Sequence, residues 1–228
     1  MRCVIVQPSY IPWRGYFDLI RRADVFVFYD DVQYDKRGWR NRNRIKTAHG
    51  TQWLTIPVNS RGAQIEHTPI NKILTADGRW PKTHLATLRH AYAGAPFFKR
   101  YEDWLTAAYA APPPLLADFT IATTIDLARE LGITQTRFVR SSSLGVEGRK
   151  TDRLIAVLRA VGATSYLSGP SARAYMEDEK LAEASIALEY IDYRYPEYPQ
   201  LHPPYDPAVS ILDLLFMTGP DAPRYIWG

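Results

Sequence analysis

The chain predicts an α/β protein: a parallel sheet carrying a β-hairpin arm and a helical middle segment. Three observations point there. Short apolar runs at 2–7, 25–29, 136–139, 164–167 and 187–191 are bounded by polar turns, as strands buried on both faces are. Stretches with apolar residues at helical spacing separate most of them, and strand–crossover–strand units close into right-handed parallel pairs. Residues 80–132 show helical spacing only. The 228 residues contain no linker long enough to separate domains, so one α/β domain is expected over 1–228 with a helical insertion at about 80–132.

The elements follow in order. Residues 2–7 read as a strand and 16–23 as a short helix, with Phe17, Ile20 and Ala23 at helical spacing. The loop between them, Gln7-Pro8-Ser9-Tyr10-Ile11-Pro12-Trp13-Arg14-Gly15-Tyr16-Phe17, is stiffened by two prolines. In open α/β sheets such loops sit at the carboxyl ends of strands, where ligands bind. Gln7, Tyr10, Trp13, Gly15 and Tyr16 are therefore candidate substrate-binding residues. The strand 25–29 ends in Asp30-Asp31, candidate catalytic carboxylates.

A basic arm follows. Lys36, Arg37, Arg40, Arg42, Arg44 and Lys46 place six cations in eleven residues. In a strand, Arg42, Arg44 and Lys46 share one face and Asn41, Asn43 and Ile45 the other. Arginine forks match phosphate and carboxylate, so Asn41, Arg42, Asn43, Arg44 and Lys46 are candidate binders of an anionic substrate. Gln52–Val58 alternates, which predicts a hairpin over about 41–58. Residues 59–79, with Gly62, Pro69 and Asp77-Gly78, read as loop. Helices are expected at 81–92, 97–111 and 115–131. Pro112-Pro113-Pro114 breaks the second from the third, and Gly132 stops the last.

The α/β pattern then returns. The small-residue stretch Ser141 to Gly148 joins a strand to a helix at 150–161, and can offer backbone N–H groups to an anion at the helix start. Lys150 is a candidate catalytic cation there and Arg153 a candidate binding one, although no G-x-x-x-x-G-K-[ST] pattern is present. Ser168 and Gly169, between a strand and a helix at 171–176, lie on the same expected rim and join the binding candidates. Tyr193 to Pro207 reads as a lid, and Ser210 as the cap of a last helix.

Composition bounds the function class. The net charge of +4 and pI near 9.1 suit an anionic small molecule, and are too modest to argue for nucleic acid. The single Cys3 forms no intrachain disulfide, and five scattered histidines show no zinc spacing. The apolar start is too short for a signal peptide, and no stretch approaches the ~20 apolar residues of a membrane span. A cytoplasmic protein without membrane insertion is expected, and an oligomer is compatible with this composition.

Several stretches resemble the WbqC-like family: Gln7–Phe17, Asp30-Asp-Val-Gln-Tyr34, Trp39–Lys46, Trp53-Leu-Thr-Ile-Pro57, Tyr166-Leu-Ser-Gly169 and Ser210–Leu215. The resemblance runs over nearly the whole chain. It implies a place in bacterial O-antigen or other surface-polysaccharide biosynthesis. With polar residues gathered at several loops expected on one sheet rim, acyl or aminoacyl transfer to an amino sugar or nucleotide-sugar is the expected reaction. A more distant likeness is to HUP-type, Rossmann-like nucleotidyltransferases and pantothenate synthetases. Trp13-Arg14-Gly15-Tyr16 stands where their H-x-G-H loop lies, and Ser142–Arg153 where their second phosphate-binding turn lies. This likeness admits ATP or a nucleotide-linked substrate. Gly15 is kept while both histidine positions are aromatic, which also admits an alternative: a non-catalytic ligand-binding accessory protein on a diverged nucleotidyltransferase-like scaffold.

Overall fold

A computed structural model describes residues 1–59 and 67–228. The segment of the expected 59–79 loop that contains Gly62 lies outside the described residues. Five strands, β1 (Arg2–Val6), β2 (Val25–Phe28), β5 (Arg137–Arg140), β6 (Ser165–Ser168) and β7 (Ala187–Tyr190), form one parallel sheet in the order β5-β2-β1-β6-β7. A separate antiparallel hairpin joins β3 (Arg42–Thr47) to β4 (Gly50–Thr55). The architecture is α/β and consistent with a Rossmann-like fold.

The strand pleat sorts the core into two layers. Val4, Phe26, Phe28 and Leu167 face a large cluster that includes α1 (Arg14–Arg22), α4 (Leu116–Glu130) and α7 (Ile211–Thr218). Cys3, Ile5, Val25, Val27 and Tyr166 face the opposite way, onto Leu154, Val157 and Leu158 of α5 (Lys150–Ala160) and Leu181 of α6 (Asp178–Glu183). Alternation along each strand sends successive side chains to opposite faces. Both sets are apolar, which is why the strands read as unbroken hydrophobic runs. Phe26 and Phe28 are wholly buried, and a fully buried side chain of this kind contributes roughly 1.5–3 kcal/mol.

Helices α2 (Trp80–Tyr92), α3 (Phe98–Ala110) and α4 occupy the middle of the chain, and α8 (Arg224–Trp227) ends it beside α1. Ser210 caps α7, its Oγ accepting from the Leu212 N–H at 3.2 Å. Three details depart from the sequence expectation. The helix expected at 171–176 is a 3-10 turn over Pro170–Ala174, because Pro170 starts it and Ala172 N–H already bonds back to Gly169. Helix α6, too short and polar to show periodicity, was not expected. The expected lid is a fixed strap: Arg14 donates to the Pro196 carbonyl and Tyr205 hydroxyl, while Tyr195 and Tyr198 bond Asp18 and Asp213. Among the described residues no helix is long and apolar enough to cross a membrane.

Candidate functional site

The chain leaves β1 toward β2 on one side, and leaves β6 toward β7 on the other. Diverging connections open a crevice at the carboxyl ends of the two central strands, the usual ligand position in an open α/β sheet. A cleft of about 950 Å³ lies there. Gln7, Arg40, Lys150, Thr151, Ser168 and Gly169 give it polar and backbone surface, and Tyr29, Tyr166, Tyr175 and Tyr193 give it aromatic walls. An adjoining lobe of about 480 Å³ includes Trp13, Tyr16 and Asn43 in its lining.

The floor of the cleft is the start of α5. The preceding loop turns through Gly148 at φ 118°, where an added Cβ would also lie 3.2 Å from Arg153 Cα. Lys150 then takes φ 49° as the first residue of the helix. A left-handed lysine costs of order 1–3 kcal/mol and persists only where its surroundings impose it. Arg149 caps the helix without a side-chain hydrogen bond. The first-turn N–H groups and the Lys150 ammonium thus supply positive charge to the cleft.

Arg40 lines the same cleft. Its Nη1 donates to the Gln7 carbonyl at 3.1 Å, while its Nε is buried without a hydrogen-bond partner. Burial holds the Arg40 pKa below its ordinary value, although Tyr16 and Asp35 oppose the shift. Tyr193, which lines both lobes, has its phenol pushed up to about 12 by burial, with Asp18 adding to the effect. It is therefore a neutral donor over the physiological range.

The predicted carboxylates are engaged inside the protein. Asp30 is fully buried, and its oxygens accept from Arg140 Nε (2.7 Å), Ser142 N (3.0 Å) and Ser142 Oγ (2.9 Å). It ties the end of β2 to the turn after β5. Asp31 accepts from Ser141 Oγ (2.5 Å) and Arg153 Nη2 (2.6 Å). Arg153 in turn lies over the Tyr29 ring at 5.5 Å, so this ion pair backs a wall of the cleft.

The remaining predicted residues divide. Tyr10 is wholly buried away from the cleft, bonded to His84 Nδ1 (2.8 Å) and Tyr109 OH (2.5 Å). Gly15 is needed by Trp13: a Cβ there would stand 2.4 Å from the indole. Tyr16 donates to the Gln7 carbonyl. Asn43 donates to the carbonyls of Tyr10 and Ile11 and so holds Ile11 at φ 36°, while Asn41 donates to Ile56. The cations of β3 do not reach the cleft. Arg42 and Arg44 stand over Trp53 at 4.4 and 5.9 Å, Arg44 also donates to the Ala208 carbonyl, and Lys46 is buried against the Pro204 carbonyl.

Sequence reasoning included Arg40 in the basic arm but did not single it out, and it passed over Thr151, Tyr175 and Tyr193. For Arg40 no local signal separates it from its five cationic neighbours. For Tyr193 the signal was the Tyr-rich stretch it opens. Among the described residues no group of three or more His, Cys, Asp or Glu is placed to hold a metal ion.

Comparison with known proteins is consistent over the whole chain. The model of the WbqC-like protein family matches residues 7–225. A protein of Mycobacterium tuberculosis, described only as uncharacterized, is 42% identical over 227 residues, which is 99% of this chain and 97% of the relative. No solved structure matches the chain significantly.

Proposed function

Because the chain belongs to the WbqC-like protein family and opens a cationic, aromatic-walled cleft at its central strand ends, we propose that it is a transferase. Its substrate class is an amino sugar or nucleotide-sugar receiving an acyl or aminoacyl group, in bacterial O-antigen or other surface-polysaccharide synthesis. The observation that carries this reading is the meeting of Arg40, Lys150 and the α5 start in one cleft of about 950 Å³. That volume accommodates a nucleotide-sized ligand, and the three cationic elements suit a phosphate or diphosphate.

In this reading Lys150 neutralises charge on the phosphate or on the transferring group, and Arg40 binds a second oxygen. Ser168 and Gly169 contact the sugar, and Tyr29, Tyr166 and Tyr175 flank the base or sugar ring. Asp31 positions Arg153, and Asp30 positions the Ser141–Ser142 turn. Rate enhancement then comes from proximity and fixed charge. Calorimetric titration with a uridine-diphosphate amino sugar tests the site. Lys150→Ala and Arg40→Lys should each weaken binding about tenfold, the scale of one charged hydrogen bond. Wild-type affinity in both variants would refute the assignment.

The full engagement of Asp30 and Asp31 by internal donors favours one second reading, a ligand-binding accessory protein without turnover. Mass spectrometry of mixtures containing the nucleotide-sugar, ATP and a carboxylic acid separates the two: a mass gain on the sugar supports the transferase, and binding with unchanged sugar supports the accessory role.

A further inference from the structure

The adjoining lobe differs from the main cleft in kind. Its walls are chiefly Val6, Pro12, Trp13, Tyr16 and Leu19. It lies next to the main cleft, and Val6, Leu19, Arg40 and Tyr193 line both. Arg40 thus stands between a largely apolar chamber of about 480 Å³ and a polar cleft that Lys150 and Glu177 also line. Trp13 cannot give way by settling toward α1, because it already lies against the place a Gly15 side chain would take, and Tyr193 and Tyr195 pack edge-on against it at 4.9 and 5.9 Å. A rigid, apolar, preformed chamber gains affinity from apolar ligand surface without an ordering cost.

We propose that this chamber is the acyl-group pocket: the ligand's carboxyl or phosphoryl end lies at Arg40, and its short apolar chain lies against Trp13, Tyr16 and Leu19. The substrate class follows from the junction. A compound with an anionic group bonded directly to a medium-length aliphatic or aryl group spans both lobes. A purely polar sugar phosphate fills one and leaves the other empty. The buried, unpartnered Nε of Arg40 lies in the side chain common to both walls, where the ligand's anionic group would pass. This inference rests on the transferase reading and specifies the donated group.

Straight-chain alkyl phosphates from ethyl to octyl, titrated by calorimetry and by tryptophan fluorescence, test it. Affinity should rise about fourfold per methylene, the gain for a fully buried CH2, and level off when the chamber is full. Ala208, an exposed residue at the lobe, provides a variant that leaves the core intact. Ala208→Trp should flatten the chain-length dependence while ethyl phosphate and the nucleotide-sugar bind as in the wild type. Chain-length-independent binding in the wild-type protein would overturn the acyl pocket while leaving the anion site standing. Failure of every alkyl phosphate and of the nucleotide-sugar to bind would overturn both.

Discussion

Two regions of the molecule divide its cations between them, and they use them differently. In the hairpin arm, Arg42 and Arg44 stack on Trp53, and Arg44 and Lys46 donate to carbonyls of the strap at Ala208 and Pro204. At the strand-end cleft, Arg40 keeps a buried Nε without a partner, and Lys150 lines open space in a strained backbone conformation. The arm's charges hold the fold together. The Nε atoms of Arg40 and Arg42 are alike buried without a partner; what sets the two regions apart is that Arg40 and Lys150 line the cleft while the β3 cations do not. Local density of positive charge is therefore a poor guide to which cations reach the cleft.

The largest expected effect that can break this comparison lies on the arm side. His84 of α2 bonds the Thr55 carbonyl of β4 through Nε2 (3.2 Å), so Nδ1 accepts from the Tyr10 hydroxyl. Burial lowers its pKa from 6.5 to about 4. The unfolded chain takes up this proton first as pH falls, so the stability is complete above pH 6.5 and is lost progressively toward pH 4. The full loss corresponds to roughly 3 kcal/mol. Urea titrations of the wild type and His84→Gln between pH 4 and 7.5 should differ in slope, with the variant flatter. Equal slopes would show that the arm is not anchored through a neutral histidine.

A smaller effect sharpens the cleft side. Lys150→Gly removes both the cation and the left-handed strain. It should raise unfolding stability by about 1 kcal/mol and weaken binding of the nucleotide-sugar about tenfold. A variant that loses stability instead would mean that the lysine is held by contacts and not strained. The smallest effect returns to the arm. Arg42→Ala should cost about 0.5–1 kcal/mol through the lost contact with Trp53 and leave ligand affinity unchanged. A drop in affinity would bring the arm back into the site.

The same division shows what the residues disclose in isolation. The central strands are legible because Cys3–Ile5 and Val25–Phe28 must be apolar on both faces, and the Gln7–Phe17 loop is legible because its composition is wrong for a plain connector. The choice among cations is not legible. Arg44 and Lys46 find their acceptors at Ala208 and Pro204, which arrive from the far end of the chain, Ala208 lying 164 positions beyond Arg44. Asp30 shows the same limit: its position at a strand end is readable, but the hydroxyl of Ser142 that occupies it comes from 112 residues away. The neutral Tyr10–His84–Tyr109 cluster likewise joins three segments that share no local pattern.

Gly15 carries a consequence beyond its backbone. The indole of Trp13 occupies the volume that any larger residue at position 15 would claim, and that indole is a wall of the apolar lobe. Position 15 thus works as a gauge for the chamber. Adding a methyl group at 15 would displace the indole, whereas replacing Trp13 with a smaller ring would enlarge the lobe it lines. If the chamber holds an acyl chain as proposed, substitutions at positions 13 and 15 should therefore change its preferred chain length.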